Sequence, residues 1–154
     1  DGLARLPWNV VILFGGGLSL AAALSSTGLA DWLGGQLTFL ADWPTALLIL
    51  IVVAAVVFLT ELTSNVATTT AFLPVLGVLA VSAGVAPEQL VLPVAIAAST
   101  AFMLPVATAP NAIVYASGAV TQGQMIKAGF RLNLAAILII TAVGIIAGQL
   151  GFGG

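Results

Sequence analysis

Between two apolar stretches of the chain, the run Thr60-Glu61-Leu62-Thr63-Ser64-Asn65-Val66-Ala67-Thr68-Thr69-Thr70 gathers hydroxyls, an amide and a carboxyl. Further on, Leu104-Pro105-Val106-Ala107-Thr108-Ala109-Pro110-Asn111 sets two prolines into another apolar stretch. Each proline removes a backbone donor and disfavours helical geometry at the residue before it, so carbonyls there lose their N–H partners. Neutral oxygens from unwound turns are the usual ligands of Na⁺ in secondary transporters, and helix N-termini attract anions. Ser64 and Asn65 lie just before a helix expected from about Ala67, where its positive dipole end and their donors could hold a carboxylate. The chemistry on offer is the reversible holding of a small anion beside a cation.

A plainer reading is that Thr, Ser and Asn merely cap broken helices. It suits any single hydroxyl, but two breaks that are both costly in lipid call for a shared reason. Glu61 has two open readings, an ion or proton carrier and a buried carboxyl hydrogen-bonded to nearby Thr side chains. It is given no catalytic role.

The composition restricts what can surround these residues. Of 154 residues, 61% are apolar and 5% charged, against about 25% charged in soluble domains. The expected class is an all-α membrane protein embedded in lipid. With no His and no Cys, zinc sites, thiolate nucleophiles, imidazole bases and disulfides are excluded, and no enzyme activity is expected. An intramembrane enzyme lacks an assembled nucleophile and base, and no organic cofactor is called for. Only three bases, Arg5, Lys127 and Arg131, are present, too few and too scattered for a nucleic-acid surface. The opening Asp-Gly-Leu-Ala-Arg carries no targeting signal, and the chain reads as a fragment.

The positioning elements follow from hydropathy. Residues 8–28 are long and apolar enough to span a hydrocarbon core of roughly 30 Å, with Gly15, Gly16 and Gly17 as a helix-packing face. Residues 29–43 alternate with helical period, Leu29, Trp32, Leu33, Leu37 and Leu40 opposing Asp31, Thr38 and Asp42, which predicts an interfacial amphipathic helix. Residues 45–84 form two apolar arms about the polar run. They are either two spans with a polar loop or a re-entrant hairpin with its tip near 64–66, and length does not choose between them. Residues 88–119 read as a broken transmembrane helix, apolar and helical to Pro105, and 125–149 as a final span. If the arms of 45–84 return to the side they came from, Arg5, Lys127 and Arg131 share one side and Asp31, Asp42 and Glu88 the other. The basic side is then cytoplasmic.

At these residues the sequence resembles the divalent anion/sodium symporter family, carriers of di- and tricarboxylates or sulfate. Thr60-Glu61-Leu62-Thr63-Ser64-Asn65-Val66 is similar to its second Ser-Asn-Thr hairpin motif. Ala101-Phe102-Met103-Leu104-Pro105-Val106-Ala107-Thr108-Ala109-Pro110-Asn111-Ala112-Ile113-Val114 is similar to its long signature. The likeness extends to Leu13-Phe14-Gly15-Gly16-Gly17 and Met125-Ile126-Lys127-Ala128-Gly129-Phe130.

The resemblance implies the re-entrant hairpin, opening toward the outside, and one half of an inverted-repeat transporter working as an elevator. It implies a Na⁺ site at Thr60, Thr63, Asn65 and Ala107, mainly through backbone carbonyls, and substrate contacts at Ser64, Asn65, Val66 and Thr108. Val66 stands where the motif often has Thr, and Ala109 where it often has Pro, so Val66 offers substrate no hydroxyl.

The implied function is Na⁺-coupled transport of small di- or tricarboxylates in a plasma or inner membrane. Its partners are a small anionic substrate, membrane lipid, a missing N-terminal half and, at full length, a second copy in a homodimer. The fragment alone is expected to be inactive. Alternatives are a sulfate or other anion permease, a dicarboxylate exchanger, and a membrane structural or assembly subunit.

Overall fold

The computed structural model describes residues 8–29, 32, 43–82 and 84–149. The described part is helical and contains no strand: α1 (Trp8–Ser26), α2 (Thr45–Thr60), α3 (Asn65–Ser82), α4 (Pro87–Ala97), α5 (Ala109–Ala116) and α6 (Gln122–Gln149). That agrees with the all-α class expected from composition. Of the segment 29–43 only Leu29, Trp32 and Trp43 are described, so the interfacial helix lies outside the described residues, as do Arg5, Asp31 and Asp42.

The core gathers where three apolar helices meet. On α2, Ile49, Val53, Val56 and Val57 recur at helical spacing and are buried against Val94 and Ala97 of α4 and Ile137 and Ile140 of α6. α3 packs between α4 and α1, while α2 and α3 touch each other only slightly. The chain turns from α3 into α4 at Gly84, whose φ of 69° suits glycine. Val85 N–H there donates to Ala80 C=O and Gly84 N–H to Val81 C=O, closing the end of α3. Pro87 at the first turn of α4 gives up an N–H that no helix would have used.

Two prolines inside helices are matched by glycines on neighbouring helices. Pro74 in α3 cannot donate to Thr70 C=O. Gly17 of α1 lies against that carbonyl so closely that an added Cβ would overlap the oxygen and stand 3.2 Å from its carbon. Pro93 in α4 likewise releases Gln89 C=O. There a Cβ on Gly144 of α6 would stand 3.4 Å from Gln89 O and 2.5 Å from Pro93 Cγ. Of the three consecutive glycines in α1 only Gly17 meets a neighbour, and Gly15 and Gly16 have nothing within 4 Å.

α4 and α6 run antiparallel, because Gln89 meets Gly148 while Phe102, beyond the end of α4, meets Gly129. Those contacts are about 28 Å apart along α6 at 1.5 Å per residue. Glu88 therefore sits at one end of the bundle, and Lys127 and Arg131 at the other. α6 is the one helix among the described residues long and apolar enough to cross a membrane by itself.

Two polar atoms in α6 are buried without partners among the described residues, Asn133 Oδ1 and Thr141 Oγ1. Thr141 makes a simple prediction. Thr141→Val keeps the shape and removes an unsatisfied hydroxyl, so thermal unfolding should show an unchanged or higher stability, by about 1 kcal/mol.

Candidate functional site

The turn 61–64 between α2 and α3 lies directly against the break between α4 and α5. α4 ends at Ala97, short of Pro105, where the prolines alone would end it. The reason is Glu61, which is 3% exposed. Its Oε1 accepts from Phe102 N–H at 2.7 Å and Met103 N–H at 2.9 Å, and its Oε2 from Leu104 N–H at 3.0 Å. Three consecutive backbone donors that a continuing helix would have turned to its own carbonyls are held by a carboxylate 41–43 residues earlier. The side-chain amide of Asn133 in α6 adds a fourth donor, 2.7 Å from Oε1. The partners of Glu61 are thus amides from the second break and α6, and not the nearby Thr side chains.

Thr60, fully buried, ties the same elements one residue earlier. Its hydroxyl lies 2.8 Å from Ala98 C=O and 2.8 Å from Asn65 Oδ1, with one proton to donate between them. Asn111 fixes the far side of the break, its amide donating to Ala101 C=O at 2.9 Å and Leu104 C=O at 3.1 Å. Thr108 caps α5 by accepting from Asn111 N–H at 3.3 Å.

Between the two breaks lies an open groove of about 490 Å³, lined by Leu62, Thr63, Ser64, Asn65, Val66 and, opposite, Val106, Ala107, Thr108, Ala109 and Pro110. Of the residues expected to hold sodium or substrate, all except Thr60 line it; Thr60 contacts Asn65 from outside the groove. The N-termini of α3 and α5 both border the groove, giving it the positive ends of two helix dipoles. The carbonyls of Thr60, Thr63 and Ala107 accept no hydrogen bond among the described residues. Together with Asn65 Oδ1 they are a set of neutral, hard oxygens, a composition that fits Na⁺.

Capping and back-bonding account for many of the hydroxyls. Thr69 donates to Asn65 C=O, Thr70 to Val66 C=O, Thr100 to Ala97 C=O, and Thr63 to Leu59 C=O while paired with Thr68 at 2.6 Å. Ser64 is different: its exposed hydroxyl has no partner among the described residues, and it faces the groove. Val66 is 49% exposed there.

Sequence reasoning missed Asn111, Asn133 and Gly129. An Asn in the middle of an apolar final span was a signal of cost, but its partner lies 72 residues away. Gly129 lets α6 reach the break, since a Cβ there would stand 2.5 Å from Phe102 C and 2.6 Å from Met103 Cα.

A family profile for the sodium:sulfate symporter transmembrane region matches residues 3–151. The sodium-dependent dicarboxylate transporter SdcS of Staphylococcus saprophyticus subsp. saprophyticus is 48% identical over 138 residues, 90% of this chain and 27% of the relative. SdcS of Staphylococcus aureus strain USA300 is 50% identical over 139 residues, 90% of this chain and 27% of the relative. Solute carrier family 13 member 2 of Mus musculus is 48% identical over 137 residues, 89% of this chain and 23% of the relative. The chain thus spans about a quarter of the length of these relatives.

Proposed function

This chain belongs to the family of the sodium:sulfate symporter transmembrane region, and from that premise we propose that it forms the C-terminal part of a Na⁺-coupled carrier for small di- or tricarboxylates. The observation that carries the proposal is the groove in which both polar breaks meet. Thr60, Thr63 and Ala107 hold Na⁺ through their carbonyls, with Asn65 Oδ1 as a side-chain ligand. Ser64 and Asn65 donate to one carboxylate of the substrate, aided by the N-terminus of α3, and Thr108 offers its remaining O–H. Val66 supplies only an apolar wall.

A cation and a carboxylate in one groove attract each other, so each raises the affinity for the other by the same factor. That reciprocity is how an inward Na⁺ gradient drives the anion. A reacting role is disfavoured because Glu61, the carboxyl nearest Ser64 in sequence, is buried and already accepts from four donors of the break and α6, none of them the Ser64 hydroxyl. The relatives named for an activity are transporters.

α2, with 16 residues, is about 24 Å long, short of a core of roughly 30 Å, which favours a re-entrant hairpin. The bonds from Thr60 and Glu61 across the breaks favour hairpin and broken helix moving as one body in an elevator. Gly15, Gly16 and the exposed apolar residues Ile113, Val114 and Tyr115 of α5 suit burial against the other half of an inverted repeat. A homodimer of the full-length carrier completes the proposed assembly. Lys127 and Arg131 put their end of α6 at the cytoplasm of a plasma or inner membrane.

The test is uptake of labelled succinate into proteoliposomes bearing the full-length carrier that contains this chain. Uptake should require an inward Na⁺ gradient, fail with equal K⁺, and resist excess sulfate. Displacement by sulfate would make sulfate the substrate, and uptake driven only by internal dicarboxylate would make the protein an exchanger. This segment on its own should transport nothing. Restoring a hydroxyl with Val66→Thr should tighten succinate by about one net hydrogen bond, roughly fivefold in half-saturating concentration, read in the same assay.

A further inference from the structure

We infer that Glu61 is a positioning residue for the sodium ligands, acting through the backbone of Phe102–Leu104 and held in place by Asn133. The inference rests on the sodium-coupled reading above and concerns a residue that does not line the groove. Successive backbone N–H groups turned to one side form a concavity that suits an anion. Here the chain fills that concavity from within, with a carboxylate carried by the neighbouring hairpin. The donors of residues 102–104 are satisfied without help from helical carbonyls, so the break stays open and Ala107 C=O remains without an N–H partner.

The same bonds set one half of the ligand group against the other. Thr60, Thr63 and Asn65 come from the hairpin, and Ala107 from the break. Glu61 directly follows Thr60, whose hydroxyl contacts Asn65 Oδ1 and Ala98 C=O. Ligands from two separate elements bind tightly only if they are held in register beforehand. Asn133 belongs to this device. It is fully buried in α6, gives its amide to Glu61, and leaves Oδ1 without a partner among the described residues. An unsatisfied buried carbonyl oxygen is costly, and the bond to Glu61 is what the residue offers in return.

The test measures succinate uptake against Na⁺ concentration in the full-length carrier, with rates normalised to folded protein. Glu61→Gln turns an amide N–H toward the backbone donors. It should raise half-saturating Na⁺ about tenfold, as expected for losing a hydrogen bond to a charged group, while uptake at saturating Na⁺ stays within about twofold. Asn133→Ala keeps the carboxylate and should move half-saturating Na⁺ the same way by about threefold. Added to Glu61→Gln it should do little more, because both act through one contact. Ile49→Ala, a core cavity in α2 about three turns before Glu61, should lower the yield of folded carrier and leave half-saturating Na⁺ unchanged. Unaltered Na⁺ dependence in folded Glu61→Gln would overturn the inference while leaving the sodium reading intact. If Glu61→Gln does not fold, unaltered Na⁺ dependence in Asn133→Ala overturns it instead. Wild-type uptake indifferent to Na⁺ would remove the reading itself, and the inference with it.

Discussion

Replacing Asn65 by alanine is expected to all but abolish Na⁺-driven uptake while leaving the fold standing. The side chain lines the groove, and its Oδ1 is the one side-chain oxygen in the proposed sodium set. An interaction with a charged ligand is worth about 1.5–3 kcal/mol, so half-saturating Na⁺ should rise about 30-fold. The fold should hold for a local reason. Asn65 is at the start of α3, its backbone C=O still accepts from Thr69, and Thr60 still has Ala98 C=O as an acceptor. Initial uptake rates over a Na⁺ titration, with thermal unfolding of the same preparation, separate the two effects. A variant that unfolds at the wild-type temperature and takes up succinate normally would remove Asn65 from the site.

Gly129→Ala should do the opposite, costing stability first and transport as a consequence. The added Cβ would stand 2.5 Å from the Phe102 carbonyl carbon and 2.6 Å from Met103 Cα, and closer still to Phe102 O. These are backbone atoms, so no rotamer change makes room. The break must move off α6, loosening Glu61 from Phe102, Met103 and Asn133 as it goes. Overpacking of this kind costs about 1–3 kcal/mol and at times more, and the upper end is expected because backbone must shift. Gly123→Ala in the same helix meets nothing within 4 Å and should be neutral or stabilising by up to about 1 kcal/mol. Thermal unfolding of the two variants side by side checks the contrast. Equal melting temperatures would mean that the break does not press on α6.

The polar breaks were legible in the sequence because hydropathy exposes cost. Ser64, Asn65 and Thr108 belong to polar interruptions of long apolar stretches, and the structure places all three on one groove. Partners were not legible, because cost does not say who meets it. Glu61 finds its donors more than 40 residues away, and Asn133 donates across 72. The end of α4 at Ala97 followed from those distant bonds and not from Pro105, so local proline chemistry misjudged it. The matching of Gly17 to the Thr70 carbonyl and of Gly144 to Pro93 was equally hidden. A triplet of glycines announces a packing face, yet only the neighbouring helix decides which of the three is used. The family resemblance lay in contiguous blocks at the breaks and was readable for that reason.

The most direct test of a shared cation and anion site is equilibrium binding of labelled succinate to the purified full-length carrier, in Na⁺ and in K⁺ at equal ionic strength. Binding that appears only in Na⁺, and that raises the affinity for Na⁺ by the same factor by which Na⁺ raises the affinity for succinate, is the predicted result. Succinate binding of equal strength in the two salts would contradict it, and the groove between the breaks would then hold the anion without the ion.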